Sequence, residues 1–375
     1  MCADRPGSVP DYAARRSALR GLLVENRVDA LLVTDLVNIR YLTGFTGSNA
    51  AVLVYTWDTR TAEDRTVIGT DGRYRTQVAE QVPDLRAEVA RATVRRVVQL
   101  AGEWQLGRVG FESHSVTVDQ HRGFLEQRTG LEFVATPGLI EQLRMVKDDY
   151  EVARLRAACA AGDAGLAALL EQGKLRPGRT ELQVARDLEW AMYEHGAEAV
   201  SFETIVATGV NSAVPHHRPT DTVLALGDFV KLDFGAVVGG YHSDMTRTFV
   251  LGRPDDWQRE VYALVEASQR AGRAALRPGA PVADVDAASR SVIEAAGHGE
   301  LFVHGLGHGV GLQIHEAPGI AKTGTGTLLS GVAVTVEPGV YFPGRGGVRI
   351  EDTLVVREEG PDLLTHTSRD LTVVD

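Results

Sequence analysis

The run Lys231-Leu232-Asp233-Phe234-Gly235-Ala236-Val237-Val238-Gly239-Gly240-Tyr241-His242-Ser243-Asp244 sets two aspartates on either side of a glycine-containing turn. Its apolar flanks read as the two strands of a hairpin. A two-residue turn centred on Val238-Gly239 predicts that Asp233 stands directly opposite Asp244, with Cβ atoms about 4.5–5.5 Å apart. Two carboxylates that close repel unless a proton or a cation lies between them. A solvent-facing sheet would relieve the conflict, but Val230, Leu232, Phe234 and Phe249 give the flanks a buried character.

A second run, His304-Gly305-Leu306-Gly307-His308-Gly309-Val310-Gly311-Leu312-Gln313-Ile314-His315-Glu316, has glycine at every second position from 305 to 311 and three of the chain's 11 histidines. A helix through four glycines costs roughly 1 kcal/mol at each relative to alanine. The backbone here is therefore expected to be extended or looped, open to close approach by a ligand. A lone histidine reads as structural, whereas three in a glycine frame read as a site. Glu337 and Glu351 each follow a β-branched residue, in Thr335-Val336-Glu337-Pro338-Gly339 and Arg349-Ile350-Glu351-Asp352. Their separation of 14 is even, so strands joined through a turn at 343–347 would put both on one face. Pro215-His216-His217-Arg218-Pro219 adds a polar loop. Four carboxylates and one imidazole form an oxygen-rich set. It suits two hard or borderline divalent ions, Mn²⁺ or Co²⁺ more than a thiolate-selected Zn²⁺.

These residues need a frame to converge. The chain has 375 residues, about twice a typical domain, and is 44% hydrophobic and 24% charged, as in an ordinary globular protein. With 39 Lys and Arg against 50 Asp and Glu its net charge is −11, which argues against nucleic acid or an anionic membrane as partner. Residues 1–150 hold 19 basic against 20 acidic side chains and the remainder 20 against 30, so the acidity belongs to the C-terminal part. A solvated acidic face is the plain reading of that excess, and carboxylates turned inward around cations the sharper one. Two cysteines, Cys2 and Cys159, make no disulfide framework; Cys159 reads as a small core residue, and a reducing cytoplasm is expected. Residues 1–10 lack the apolar stretch of a secretory signal, and no run of about 18 apolar residues suggests a membrane span.

Short apolar runs at 30–33, 50–54, 67–69 and 109–111 read as buried strands, and 12–25, 73–81 and 116–128 as helices. The alternation predicts an α/β layer domain. None of the strands is followed by a phosphate- or dinucleotide-binding glycine fingerprint. Residues 43–48 form a turn-rich loop between two strands, and Thr136-Pro137-Gly138 marks a boundary, giving domains 1–138 and 139–375. The second domain opens with a long helix over 139–170 and a helix over 181–194 capped by Thr180. Strands follow at 204–208, 229–234 and 242–251, helices at 256–276 and 282–295, and strands at 332–337 and 348–356. This is an α+β pattern without an obvious internal repeat.

The C-terminal part, about residues 145–375, resembles the pita-bread metallopeptidases, the group that holds aminopeptidase P, prolidase and methionine aminopeptidase. The five metal ligands of that group match, in order, Asp233, Asp244, His308, Glu337 and Glu351, within the family-like Leu232-Asp233-Phe234-Gly235, Ser243-Asp244-Met245-Thr246-Arg247-Thr248 and Val336-Glu337-Pro338-Gly339. Residues 38–45 through 70–74 resemble the extra N-terminal domain of the proline-specific branch, whose additional histidines and arginine match His216, His304, His315 and Arg349. The resemblance implies an α/β N-terminal domain plus an α+β pita-bread catalytic domain. It implies two divalent ions, Mn²⁺ in first place with Co²⁺ or Zn²⁺ as alternatives. Asp233 would bind one ion, His308 and Glu337 the other, and Asp244 and Glu351 would bridge. Glu337 would shuttle the proton, His216 and His315 would stabilise the oxyanion, and His304 and Arg349 would place the substrate proline. The implied activity is that of a cytoplasmic Xaa-Pro aminopeptidase acting on proline-containing peptides, as a homodimer or homotetramer. The Gly44-Phe45-Thr46-Gly47-Ser48 loop favours this over an Xaa-Pro dipeptidase restricted to dipeptides, and the intact ligand set disfavours a non-catalytic peptide-binding homologue.

Overall fold

The structure, a computed structural model, describes residues 9–56, 63–127 and 129–374. Cys2 and the rest of residues 1–8 lie outside the described residues, as does Arg128 at the end of an expected helix. Residues 9–144 form one compact unit and residues from 145 onward form the other.

In the first unit the elements run α1 (Tyr12–Glu25), β1 (Ala30–Val33), α2 (Leu36–Thr43), β2 (Ala50–Tyr55), β3 (Val67–Thr70), α3 (Arg75–Gln81), β4 (Arg86–Val89), α4 (Thr93–Glu103), β5 (Arg108–Phe111), α5 (Val118–Leu125), β6 (Glu132–Ala135) and α6 (Leu139–Met145). One six-stranded sheet has the order β4-β3-β2-β1-β5-β6. Strands β1, β2 and β3 are buried at every position, which is why they read as continuous apolar runs rather than alternating ones. The edge strand β4, Arg-Ala-Glu-Val, is charged and exposed at its start, which blunts the edge and hid it from the sequence reading. The expected 43–48 loop is present from Gly44 onward, but it follows a helix rather than a strand: Asp35 caps α2 through its side chain, and Gly44 closes the helix at a φ of 78°. The division between units falls at Arg144 rather than Gly138. The reason is α6, where Glu141 accepts from buried Asn38 at 2.6 Å and Arg144 donates to Asn38 Oδ1 at 2.9 Å, tying the helix to α2.

The second unit repeats one element order. It begins with α7 (Asp149–Glu171) and α8 (Glu181–Glu194), followed by β7 (Ala199–Val200), β8 (Ile205–Thr208), β9 (Phe229–Phe234), β10 (Ala236–Val238), β11 (Tyr241–His242) and β12 (Met245–Leu251). A second helix pair, α9 (Asp256–Ala275) and α10 (Val282–Ala295), is followed by β13 (Gly307–Gly309), β14 (Glu316–Ile320), β15 (Ala333–Val336), β16 (Gly339–Phe342), β17 (Gly346–Arg349) and β18 (Asp352–Val355). Short strands β19 (Asp362–Leu363) and β20 (Thr372–Val374) close the chain. The helix expected over 139–170 is two helices. Val146 bridges to Val332, Lys147 N donates to Gly331 O, and Asp148 starts α7 with a capping box to Glu151.

Each helix pair has its own core. Leu166, Leu188 and Met192 pack with Leu232 and Phe234 in one, and Val265 and Val285 with Val334, Val336 and Leu354 in the other. The sheets are β20-β12-β9-β8, β11-β10-β7, β14-β13-β15-β18-β19 and the β16-β17 hairpin. Among the described residues no helix is long and apolar enough to cross a membrane.

Candidate metal centre

Strands β9 and β12 pair antiparallel with Thr246 opposite Asp233. The same register continues into β10 and β11, where Val237 faces His242, and the tip is Gly239-Gly240 with φ of 59° and 79°. A two-residue type I′ turn needs the left-handed conformation at both central positions. Glycine adopts it freely, whereas a β-branched valine does not. The expected turn at Val238-Gly239 is therefore one residue early, and Asp244 does not stand directly opposite Asp233. It lies two positions from Thr246, so the period of two still turns both carboxylates to one face.

The two glutamates meet as their even spacing predicts. Val336 faces Asp352 in β15–β18, and Gly339 faces Arg349 in β16–β17. One register runs through both ladders, and Glu337 and Glu351 oppose each other in the gap. Pro338 has no N–H to continue the ladder. The glutamate backbones bond outward instead: Glu337 N to Leu306 O at 2.8 Å, and Glu351 N to Thr246 O at 3.1 Å. This break brings the histidine segment and the aspartate strand to one point. His308 sits on β13, where a Cβ on Gly307 would overlap the Thr335 carbonyl and one on Gly309 the Ala317 carbonyl. The alternating glycines are thus the clearance that lets β13 lie between its neighbours.

Asp244, His308 and Glu351 each offer a ligand atom, all within 4.8 Å of one another. His308 Nε2 lies 3.4 Å from both Asp244 Oδ2 and Glu337 Oε1. Asp233 Oδ2 accepts from Arg349 Nη2, while Asp233 Oδ1 is buried with no hydrogen-bond partner. Thr246 Oγ1 donates to Glu351 Oε2 at 2.6 Å. Burial raises the pKa of Asp244, Glu337 and Glu351, and repulsion from their acidic neighbours adds to it. Burial opposes the His308 imidazolium, but Asp244 and Glu337 outweigh it and push the ring up to about 9. These donors fit divalent cations. The orphaned oxygen of Asp233 and three carboxylates resisting ionisation are what a cation site looks like without its charge.

A cavity of about 240 Å³ opens on the cluster, lined by Asp233, Asp244, His308, Glu337 and Glu351 together with His216 and His315. Burial lowers the His315 pKa, and His308 beside it lowers it further; the two rings stand edge to face at 4.4 Å. Arg349 and His304 are placed differently. Neither is among the described residues that line this cavity. Arg349 is buried behind Asp233, donating also to Thr246 Oγ1 at 3.0 Å, Tyr341 Oη at 2.8 Å and Pro215 O at 3.1 Å. His304 Nε2 meets the same Tyr341 hydroxyl at 2.8 Å, and burial followed by repulsion from Arg349 drops its pKa to about 3.

The sequence reading passed over three supporting residues. Tyr341 joins Arg349 to His304. Lys231, fully buried on the Asp233 face of β9, donates to Ser212 O at 3.3 Å, Val214 O at 2.6 Å and Pro215 O at 3.1 Å. Glu181, also fully buried, accepts from His217 Nε2 at 2.8 Å, Thr220 N at 2.9 Å and Thr208 N at 2.9 Å. Together they fix the loop that carries His216. A second charged residue beside Asp233 in an otherwise apolar strand was the available signal for Lys231.

Residues 153–358 match the family model described as metallopeptidase family M24, and residues 15–146 match the creatinase/prolidase N-terminal domain. The chain is 34% identical to an Xaa-Pro dipeptidase of Pyrococcus furiosus, over 92% of this chain and 96% of that one. It superposes on the solved Xaa-Pro dipeptidase from Bacillus anthracis with a TM-score of 0.91 and 36% identity, covering 97% of this chain and 100% of that one. The solved X-Pro aminopeptidase from Thermotoga maritima gives a TM-score of 0.86 at 32% identity, covering 96% and 99%. The fold is accordingly the creatinase-type α/β domain followed by the pita-bread domain.

Proposed function

This chain belongs to metallopeptidase family M24, and from that premise we propose that it is an Xaa-Pro dipeptidase, hydrolysing the bond before proline in dipeptides. The observation that carries the reading is full-length similarity to Xaa-Pro dipeptidases at 34% and 36% identity. The aminopeptidase expected from the Gly44–Ser48 loop is the second reading, favoured by the likeness to the Thermotoga maritima enzyme.

Asp233, Asp244, His308, Glu337 and Glu351 would hold two divalent ions, with Mn²⁺ as our first choice. Such ions, when bound, lower the pKa of water toward neutrality and polarise a carbonyl. The chain's own residues do the rest. Glu337, whose carboxylate lines the cavity beside His308, would take a proton and return it to the leaving group. The nitrogen leaving from a proline bond belongs to a tertiary amide without N–H, so the proton delivered there completes the departure. His315, whose pKa burial lowers, and His216 face the same cavity and offer N–H donors to an oxygen gaining negative charge. Arg349 and Tyr341 hold Asp233 and the His216 loop in place.

We extend the proposal to a homodimer or homotetramer, checked by light-scattering mass. The activity is tested with purified protein on Ala-Pro and Ala-Pro-Ala. Cleavage of the dipeptide with little of the tripeptide is expected; equal or better cleavage of the tripeptide makes it an aminopeptidase, and cleavage of neither removes both readings.

A further inference from the structure

A dipeptide brings two charges into the cavity, an ammonium group at one end and a carboxylate at the other. The described lining is acidic, with five carboxylates, Glu203 and the four that would hold the metal ions. Partners for the substrate carboxylate are few. Four histidines line the cavity: His308 faces Asp244 and Glu337, His315 packs edge to face on His308, His217 is held by Glu181, and His216 is an imidazole without the permanent charge of a guanidinium. Arg218 is the one guanidinium or ammonium group among the described lining residues.

Its setting is that of a fixed base with a movable arm. On one side Lys231 and Arg349 pin Pro215 O, and on the other Glu181 pins His217 and Thr220. The side chain is 80% exposed and meets Glu203 Oε2 at 2.8 Å, with Glu203 itself 60% exposed. An ion pair so open to water is worth about 0–1 kcal/mol. It therefore exchanges one carboxylate for another at little cost, and a planar guanidinium can hold the incoming carboxylate through two parallel N–H donors.

We propose that Arg218 leaves Glu203 to bind the free α-carboxylate of the substrate's proline, and so selects dipeptides over longer peptides. This rests on the Xaa-Pro dipeptidase reading and deepens it.

The test compares three substrates, Ala-Pro, Ala-Pro amide and Ala-Pro-Ala, on the metal-loaded enzyme and on Arg218→Ala, Arg218→Lys and Glu203→Gln. Arg218→Ala is expected to lose about 10²-fold in kcat/KM on Ala-Pro, mostly through KM, and far less on the amide. Arg218→Lys should recover part of the loss. Glu203→Gln, which frees the guanidinium, should lower KM for Ala-Pro. Equal losses on Ala-Pro and its amide would mean that Arg218 only supports the loop, and a higher KM in Glu203→Gln would mean that Glu203 is the binding group; either overturns the proposal. If the parent enzyme cleaves Ala-Pro and the amide equally well, the carboxylate is not read and only this proposal fails. If it cleaves none of the three, the Xaa-Pro reading fails with it.

Discussion

At the scale of single residues, the centre is a set of side chains that oppose one another until cations join them. Asp244→Asn should give a folded protein, by circular dichroism, that retains little metal by elemental analysis. Full occupancy in that variant would show that the ligand set is misassigned. His304 offers a test away from the ligands. Its pKa falls from 6.5 to about 3 on folding, because burial and Arg349 disfavour the imidazolium. Between those values the unfolded chain binds a proton that the folded chain refuses, so stability falls as pH drops through the window. His304→Gln should therefore lose less Tm between pH 6.5 and 4 than the parent; parallel curves by calorimetry would remove the claim. The ligands were legible in the sequence because metal chemistry restricts residue type and spacing. Tyr341 was not, since a tyrosine four residues after Glu337 carries no chemistry until the fold brings Arg349 and His304 to its hydroxyl.

At the scale of elements, the strands and helices around the site follow from apolar period and caps. Thr180 begins α8 where a capping residue was expected, and α10 and β9 span the residues their patterns predict. What the sequence hid was turn chemistry. The pair Gly239-Gly240 outcompetes Val238-Gly239 for a reason that lies in φ, and a one-residue error moved Asp244 from opposite Asp233 to diagonal from it. The charged edge strand β4 lacks an apolar pattern altogether, and Asp148 ends a helical run that composition alone would continue. Two predictions belong here. Gly307→Ala places a methyl against the Thr335 carbonyl and should cost about 1–3 kcal/mol in thermal or denaturant melts, whereas Gly319→Ala, with no atom within 4 Å, should cost far less. Equal effects would mean that clearance is not what the alternating glycines supply. Lys231→Met removes the three bonds to the His216 loop. Both metals should stay while kcat falls by about 10²-fold, and metal loss instead would place Lys231 among the supports of Asp233.

At the scale of the molecule, the acidity of the C-terminal part divides into solvated surface and four inward carboxylates. Divalent ions held by this cluster would favour the folded chain over the unfolded one, so stability should rise with metal by mass action. At 100 times Kd the gain is about 2.7 kcal/mol. Stripping with chelator should lower Tm and abolish turnover, and Mn²⁺ or Co²⁺ should restore both; an unmoved Tm would dissociate the cluster from metal. The repeated order of helix pair and strands was invisible to the sequence, because the two blocks share element types and not residues. Each block supplies part of the centre: Asp233 and Asp244 from the first, His308, Glu337 and Glu351 from the second.

That division has a consequence during synthesis. Asp233 and its partner Arg349 are 116 residues apart. A ribosome adding about 5–20 residues per second takes roughly 6–23 s to cover that interval. Over that time β9 and its hairpin have emerged with the two aspartates, while the guanidinium and the remaining ligands have yet to be made. The first block therefore cannot settle into its final burial on the nascent chain. Closing the centre is a late event that awaits the strands carrying Arg349 and Glu351, and ions can be captured in full only after those strands have been made.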